Sequence, residues 1–406
     1  MPVASGQPAK TEELPSQSSG TGETIRVALV QPSLAKYRIP VFRELAARDG
    51  IDLTVYYGTR SDLINAEPEG FKAVAAPLHK LGRGNRYLLL HGAQWAHATR
   101  KACDVLVLNW TPRYATLIPS LFKARFNGVP TVLWGHGFSK RDRPSRQAMR
   151  KFIADRGSAL LFYDAHTAQK QVDSGWDAER IFVAPNTVDH TGAIEARNEW
   201  SSDPDRLAAF RREQGLEPGP VLLYVSRLDP ANRVDMLLRA TANLKHEWPD
   251  VKTVVIGNGD EERERLRKIV GELGIESSVI FSPGIYDEKR LAPWFLSAAA
   301  YCYPENIGLS IIHAMVYGVP VVTSDRRECQ NPEFAALTPG ENGLTYAHGS
   351  LEDLSAVLSR LLSDTEQQGK LSRNAHETAM SRFPVSKMVD GMEAAIRYAY
   401  AKRTQG

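Results

Sequence analysis

The sequence predicts an α/β protein with two parallel sheets, each covered by helices. Three observations predict it. Short runs rich in Val, Ile and Leu recur along the chain, and most end in Gly, Pro, Ser or Asn. After most of them comes a stretch with apolar residues at helical spacing, and strand, turn and helix in that order make the βαβ unit of a parallel sheet. A polar stretch over residues 190–219, irregular apart from a short charged helix after Pro204, then divides the 406-residue chain into two parts, each sized for a domain of roughly 150–200 residues.

Composition narrows the function classes. Apolar and charged fractions of 43% and 24% are those of a soluble globular protein, and a net charge of +3 is too small to argue for nucleic acid. Cys103, Cys302 and Cys329 lack C-x-x-C spacing, and two of them lie in apolar runs, so they read as core residues rather than a disulfide or metal site. Residues 1–24 have the composition of a disordered tail and lack the charged start and apolar core of a signal peptide. No apolar stretch approaches the ~20 residues that span a bilayer, and the expectation is a cytosolic chain.

Order is expected from Ile25. Residues 25–30 form a strand, 37–46 a helix and 51–57 a second strand. The loop after the first strand lies at the carboxyl edge of the sheet, where ligands bind, and carries Ser33, Lys36, Tyr37 and Arg38. The next strand, 104–108, ends in Asn109-Trp110-Thr111 and leads to a helix over 114–126. Residues 129–137 bring a strand to Gly135-His136-Gly137, so His136 is expected at a strand end facing a cleft. From Lys140 to Lys151 the chain is basic, and Arg143, Arg146 and Arg150 share a helix face. Such a run is either a solvated face or a patch for an anionic bilayer or a pyrophosphoryl-lipid acceptor; aromatic interleaving for nucleic acid is absent. Strands at 159–163 and 181–184 close this half.

The second half repeats the pattern. The strand over 221–225 ends in the loop Ser226-Arg227-Leu228-Asp229-Pro230-Ala231-Asn232-Arg233 before a helix over 234–248. Two arginines on one strand-end loop can neutralise a diphosphate without a metal. The strand over 251–256 ends in Gly257-Asn258-Gly259, whose small residues admit a ligand to the backbone, and 279–281 lead into Ser282-Pro283-Gly284. Tyr301-Cys302-Tyr303 then ends in Pro304-Glu305-Asn306-Ile307-Gly308-Leu309, and a helix is expected from near Gly308 to Gly318 with His313 on it. Glu305 sits at the mouth of that helix, a carboxylate suited to sugar hydroxyls beside amides suited to phosphate. Helices are expected over 351–364, 366–382 and 385–402.

The Glu305-to-His313 stretch resembles the E-x7-E signature of the family-4 glycosyltransferases, with His313 in place of the second Glu. Ser226-Arg227-Leu228 resembles the family's G-R-L, with Asn232 in its lysine slot, and Pro185-Asn186-Thr187-Val188-Asp189 its P-N-G-V-D turn. The opening Pro32…Tyr37-Arg38-Ile39-Pro40, Asn331-Pro332-Glu333 and Asn342-Gly343-Leu344 also have counterparts. The resemblance implies the GT-B fold, two Rossmann-like domains facing across a cleft, here 25–195 and 205–382, with 385–402 crossing back to the first. It implies a nucleotide-diphosphate sugar held by Ser226, Arg227, Asn232, Arg233, Gly257, Gly259, Pro283, Glu305, Ile307, Gly308, Leu309 and His313. It places a glycan or lipid-linked acceptor near Lys36, Tyr37, Arg38, Asn109, Trp110 and His136, and the reacting groups at His136, Glu305, Arg227 and Arg233. The implied reaction is retaining glycosyl transfer in building a bacterial surface polysaccharide or lipid-linked oligosaccharide, with no metal and no cofactor beyond the donor. A sugar-nucleotide epimerase of the same fold and a non-catalytic sugar-nucleotide-binding scaffold stay open. The sugar, base and linkage are not specified.

Overall fold

The computed structural model describes residues 23–84, 86–137 and 144–403. The expected tail, apart from Glu23 and Thr24, and residues 140–143 of the basic run lie outside them.

The first domain is built on eight strands: β1 (Ile25–Gln31), β2 (Ile51–Thr59), β3 (Lys72–Arg83), β4 (Arg86–His91), β5 (Val105–Asn109), β6 (Thr131–Gly135), β7 (Ala159–Phe162) and β8 (Ile181–Val183). Their order is β4-β3-β2-β1-β5-β6-β7-β8, parallel except for the β3–β4 hairpin. The central strands are covered on both faces, which is why β5, β6 and β7 read as continuous apolar runs. The β3–β4 hairpin escaped sequence reading because β3 is exposed along most of its length, with Leu78 as its buried residue, and so has no two-residue alternation.

The second domain holds β9 (Val221–Val225), β10 (Lys252–Ile256), β11 (Val279–Ser282), β12 (Ala300–Cys302), β13 (Val321–Ser324) and β14 (Gly343–Tyr346), all parallel in the order β11-β10-β9-β12-β13-β14. The strand order reverses between β9 and β12, the switch point at which an open parallel sheet leaves a crevice at its carboxyl edge.

In the stretch expected to link the domains, the short charged helix is found at Pro204–Glu213, but the residues before it, expected to be irregular, form a second helix, Thr191–Ser201. Ala193, Ala196 and Trp200 of the first are buried in the second-domain core, and the Trp200 indole donates to the Lys289 carbonyl. Three buried residues spread over eight positions in a polar sequence hid this helix. The last helix, Val385–Arg403, buries Met388, Val389, Met392, Ala395, Ile396 and Ala399 in the core of the first domain.

The carboxyl edges of the two sheets face each other. Arg327, just past β13, donates to Asp164 at the end of β7 over 3.0 Å, and the Asn186 amide donates to Glu333. Where the chain crosses between domains, the Thr187 hydroxyl donates to the Phe383 carbonyl. No helix among the described residues is long and apolar enough to cross a membrane.

Candidate active site

The second-domain half of the cleft is assembled on the loops after β9, β10 and β12. After β9 the chain makes one 3-10 turn, Pro230–Asn232, and Arg233 takes a left-handed conformation at φ 54° before the Val234–Leu244 helix. Arg227 is exposed at the strand end. Asn232, expected to face the donor, is 3% exposed and turned under the loop. Its amide donates to the Tyr224 hydroxyl and the Arg227 carbonyl, both at 2.9 Å, and its side-chain oxygen accepts from Asn306 at 2.8 Å. It ties the Arg227 loop to the Glu305 loop rather than reaching outward. Arg233 is forked onto Asp235 at 3.1 and 3.2 Å, so its charge is largely matched, and its Nη1 stands 4.0 Å from Glu305.

Glu305 is mostly buried at the end of β12. Its Oε1 lies 3.3 Å from Nδ1 of His348, near enough for a charge contact but not aligned as a hydrogen bond. Asn306 at φ 64° turns the chain, and Ile307 donates its N–H to the fully buried Gln330, whose amide is pinned on Thr323 and Ser324. Asn331 holds the Asn306 carbonyl at 2.9 Å. The helix after the loop is Ser310–Val316, shorter at its start than expected, with Gly308 and Leu309 in the turn before it.

Gly257 follows β10 so closely against the β9 loop that a Cβ would stand 1.8 Å from the Ser226 carbonyl oxygen; nothing larger than glycine fits there. Gly259 sits at φ 135° beside Leu228, and Pro283 is exposed after β11. The neighbouring Asn258 accepts from Gly284 and donates to the hydroxyl of Tyr286, an exposed ring that carried no sequence signal.

His313 is not alone. Its Nε2 lies 3.0 Å from Oε2 of Glu288, which also accepts from the Tyr317 hydroxyl at 2.8 Å. Burial alone would push the Glu288 carboxyl up, but the contacts with His313 and Tyr317 hold it below the usual carboxylate range. A carboxylate therefore stands beside the position where the signature has its second Glu, supplied by the helix Glu288–Leu296. Glu288, His348, Gln330 and Tyr286 all lie outside the resembling motifs, and only the folded chain brings them to the site.

The first-domain half is a cavity of about 620 Å³ at the carboxyl ends of β5 and β6. Asn109, Trp110 and His136 line it as expected positions, with Arg113, Arg146 and Arg150 added. The exposed His136 ring lies 4.8 Å from the Tyr163 ring. Gly137 beside it has φ 64°, and a Cβ there would run into the Phe162 ring. The expected shared face of Arg143, Arg146 and Arg150 is seen for the two described members, which line this cavity, while Lys151 pairs with Asp155 at 3.1 Å.

Arg38 is not at the cleft surface. It is 5% exposed, its guanidinium 4.8 Å from the Trp134 ring and 5.4 Å from the Tyr163 ring, with Nη1 donating to the Met388 sulfur. It is a cation packed under the first loop against the returning last helix, whereas Lys36 and Tyr37 are exposed. The described residues hold no group of three or more His, Cys, Asp or Glu placed to bind a metal.

Two facing Rossmann-like domains with parallel sheets, one of them leaving a crevice at its switch point, make the GT-B fold. Residues 207–378 match the family model described as Glycosyl transferases group 1. The chain is 26% identical over 249 residues to the GDP-mannose-dependent alpha-(1-6)-phosphatidylinositol monomannoside mannosyltransferase of Mycolicibacterium smegmatis, across 59% of this chain and 62% of that one. It is 29% identical over 242 residues to the D-inositol 3-phosphate glycosyltransferase of Nocardia farcinica, across 57% of this chain and 51% of that one. It thus spans between half and two thirds of the length of these relatives. Anabaena HepE in complex with UDP has the same fold, with a TM-score of 0.69 and 17% identity over 91% of this chain and 98% of that one.

Proposed function

We propose that this chain is a retaining, metal-independent glycosyltransferase of the family-4 type, moving a sugar from a nucleotide-diphosphate donor to a hydroxyl of a glycan or lipid-linked acceptor. The observation that carries the reading is the crevice at the β9–β12 switch point, with Arg227 exposed and Glu305 held beside Arg233, facing a cavity that contains His136. Departure of the nucleoside diphosphate builds negative charge on its β-phosphate. A guanidinium at Arg227 stabilises that charge more as it grows, which is what lowers a barrier. Arg233, already forked onto Asp235, contributes less to that charge and more to positioning Glu305. Glu305 holds donor-sugar hydroxyls, and the Glu288–His313 pair stands where a hydroxylated part of the nucleotide would be gripped. His136 lines the reaction centre, and closing of the domains excludes water. Similarity to relatives whose names specify mannosyl and glycosyl transfer supports the same reading.

Peripheral contact with an anionic membrane belongs to the proposal. Exposed Trp95, Phe122 and Phe126 beside Lys123 and Arg125 support it, in addition to the basic run.

The test is a panel of UDP-, GDP-, ADP- and dTDP-sugars, with thermal shift for binding and nucleoside diphosphate release for turnover, in EDTA. The expected result is selective stabilisation by one nucleotide and slow EDTA-resistant release that Glu305→Ala abolishes. Binding with no release in the presence of crude lipid or oligosaccharide acceptors would replace the enzyme with a sugar-nucleotide-binding scaffold. The locked Arg233–Asp235 fork is the observation that favours that second reading.

A further inference from the structure

We propose that His348 is the positioning residue for Glu305: its ring Nδ1–H holds one oxygen of that carboxylate and so turns the other toward the hydroxyls of the donor sugar. The inference rests on the reading of Glu305 as the group that grips those hydroxyls. His348 follows β14 on a segment fastened at its backbone, where the His348 N–H donates to the Asp325 carboxylate over 3.0 Å. Its Nδ1 is buried, has no hydrogen-bond partner among the described residues, and stands 3.3 Å from Glu305 Oε1, out of line. Buried ring nitrogens are nearly always satisfied, and a small turn of ring or carboxylate brings this one onto an acceptor already within reach. Because Nδ1 is closed off from the crevice, His348 acts through Glu305 and not on the sugar.

Both charge contacts of Glu305 among the described residues fall on Oε1, from His348 at 3.3 Å and from Arg233 Nη1 at 4.0 Å. Arg233 is beyond hydrogen-bond distance and commits Nε and Nη2 to Asp235, so it supplies charge without direction. A carboxylate held by charge alone swivels about its last bond, where the torsional wells are broad. One directed N–H on Oε1 removes that freedom and leaves Oε2 as the atom that accepts from a sugar hydroxyl, so the grip is set before the donor arrives. The other ring nitrogen, Nε2, lies 4.0 Å from the Cys329 sulfur. A thiol can donate to it, which leaves the ring proton on Nδ1, facing Glu305.

The test uses UDP-glucose, GDP-mannose, ADP-glucose and dTDP-glucose, each titrated calorimetrically against its bare nucleoside diphosphate. For the pair that binds, the readout is the ratio of the two dissociation constants, nucleotide sugar over nucleoside diphosphate, which isolates the grip on the sugar. His348→Phe keeps a ring without the donor and is expected to raise this ratio at least about fivefold, with the constant for the bare nucleotide unchanged as a check on folding. His348→Asn places an amide N–H where Nδ1 stood and is expected to bring the ratio back to within about twofold of wild type, whereas His348→Gln, whose amide falls at the Nε2 place, is not. Glu305→Ala is expected to raise the ratio at least as far as His348→Phe, and Glu305→Ala/His348→Phe to match Glu305→Ala alone, since one residue acts through the other. An unchanged ratio in His348→Phe, equal behaviour of the Asn and Gln variants, or losses that add in the double variant overturns the proposal. A raised ratio in Glu305→Ala with none in His348→Phe removes this inference alone. An unchanged ratio in Glu305→Ala, or no binding of any nucleotide sugar, removes the reading of Glu305 and this inference with it.

Discussion

At the scale of single residues, the cleft depends on which cations are exposed and which are spent. Arg227 is exposed at the end of β9, Arg233 is forked onto Asp235, and Arg38 is packed between Trp134 and Tyr163. On the proposed reading Arg227→Ala is therefore expected to lower kcat/KM by at least about tenfold, since it would remove the cation that meets the developing charge and little packing. Steady-state kinetics on the folded variant check it, and unchanged kinetics would end the phosphate assignment. Sequence reading found the residue types but not their states. An arginine on a strand-end loop looks the same in a sequence whether an aspartate two residues on captures it, as with Asp235, or aromatic rings in β6 and just after β7 bury it.

At the scale of elements, the site is a set of loops stitched to each other by buried amides. Asn232 joins the β9 loop to the β12 loop, and Gln330 and Asn331, after β13, hold Asn306 and Ile307 in their turn. Removing such a hub leaves several buried polar groups without partners, each at about 1–3 kcal/mol. Asn232→Ala is expected to lower unfolding stability by about that amount for one group, measured by urea denaturation, and to weaken nucleotide binding although the side chain faces away from the crevice. Stability and binding both equal to wild type would show that the stitch has no effect. The strands and helices of both halves were legible because their apolar runs and glycine stops are local signals. The Thr191–Ser201 helix and the β3–β4 hairpin were not, since one shows three buried residues in a polar stretch and the other lies exposed at a sheet edge. The Glu288–His313 pair was out of reach for a different reason: it joins residues 25 apart that share no motif.

At the scale of the whole molecule, the domains meet through a buried carboxyl. Glu333 is enclosed between them, accepts from Asn186, and lies close to Gly308 in the β12 loop. Burial pushes its carboxyl above the ordinary range, with the Asn186 contact opposing. Well below the ordinary carboxylate pKa both folded and unfolded chains hold the proton, and the burial is free of penalty. As pH rises past that value the unfolded chain ionises first, so stability falls until the folded carboxyl ionises too. Glu333→Gln is expected to melt at a higher temperature than wild type at pH 8, with the difference closing by pH 4. A difference independent of pH, measured by calorimetry at both values, would remove the titration account. The paired crossings near Thr187 and Phe383, hydrogen-bonded to each other, have a mechanical consequence. Two covalent strands fastened side by side act as a door hinge rather than a tether: they leave one easy rotation, about an axis through the fastening, and resist twist and slide. Any widening or narrowing of the cleft is therefore expected to follow one fixed arc, with the two facing edges kept in register.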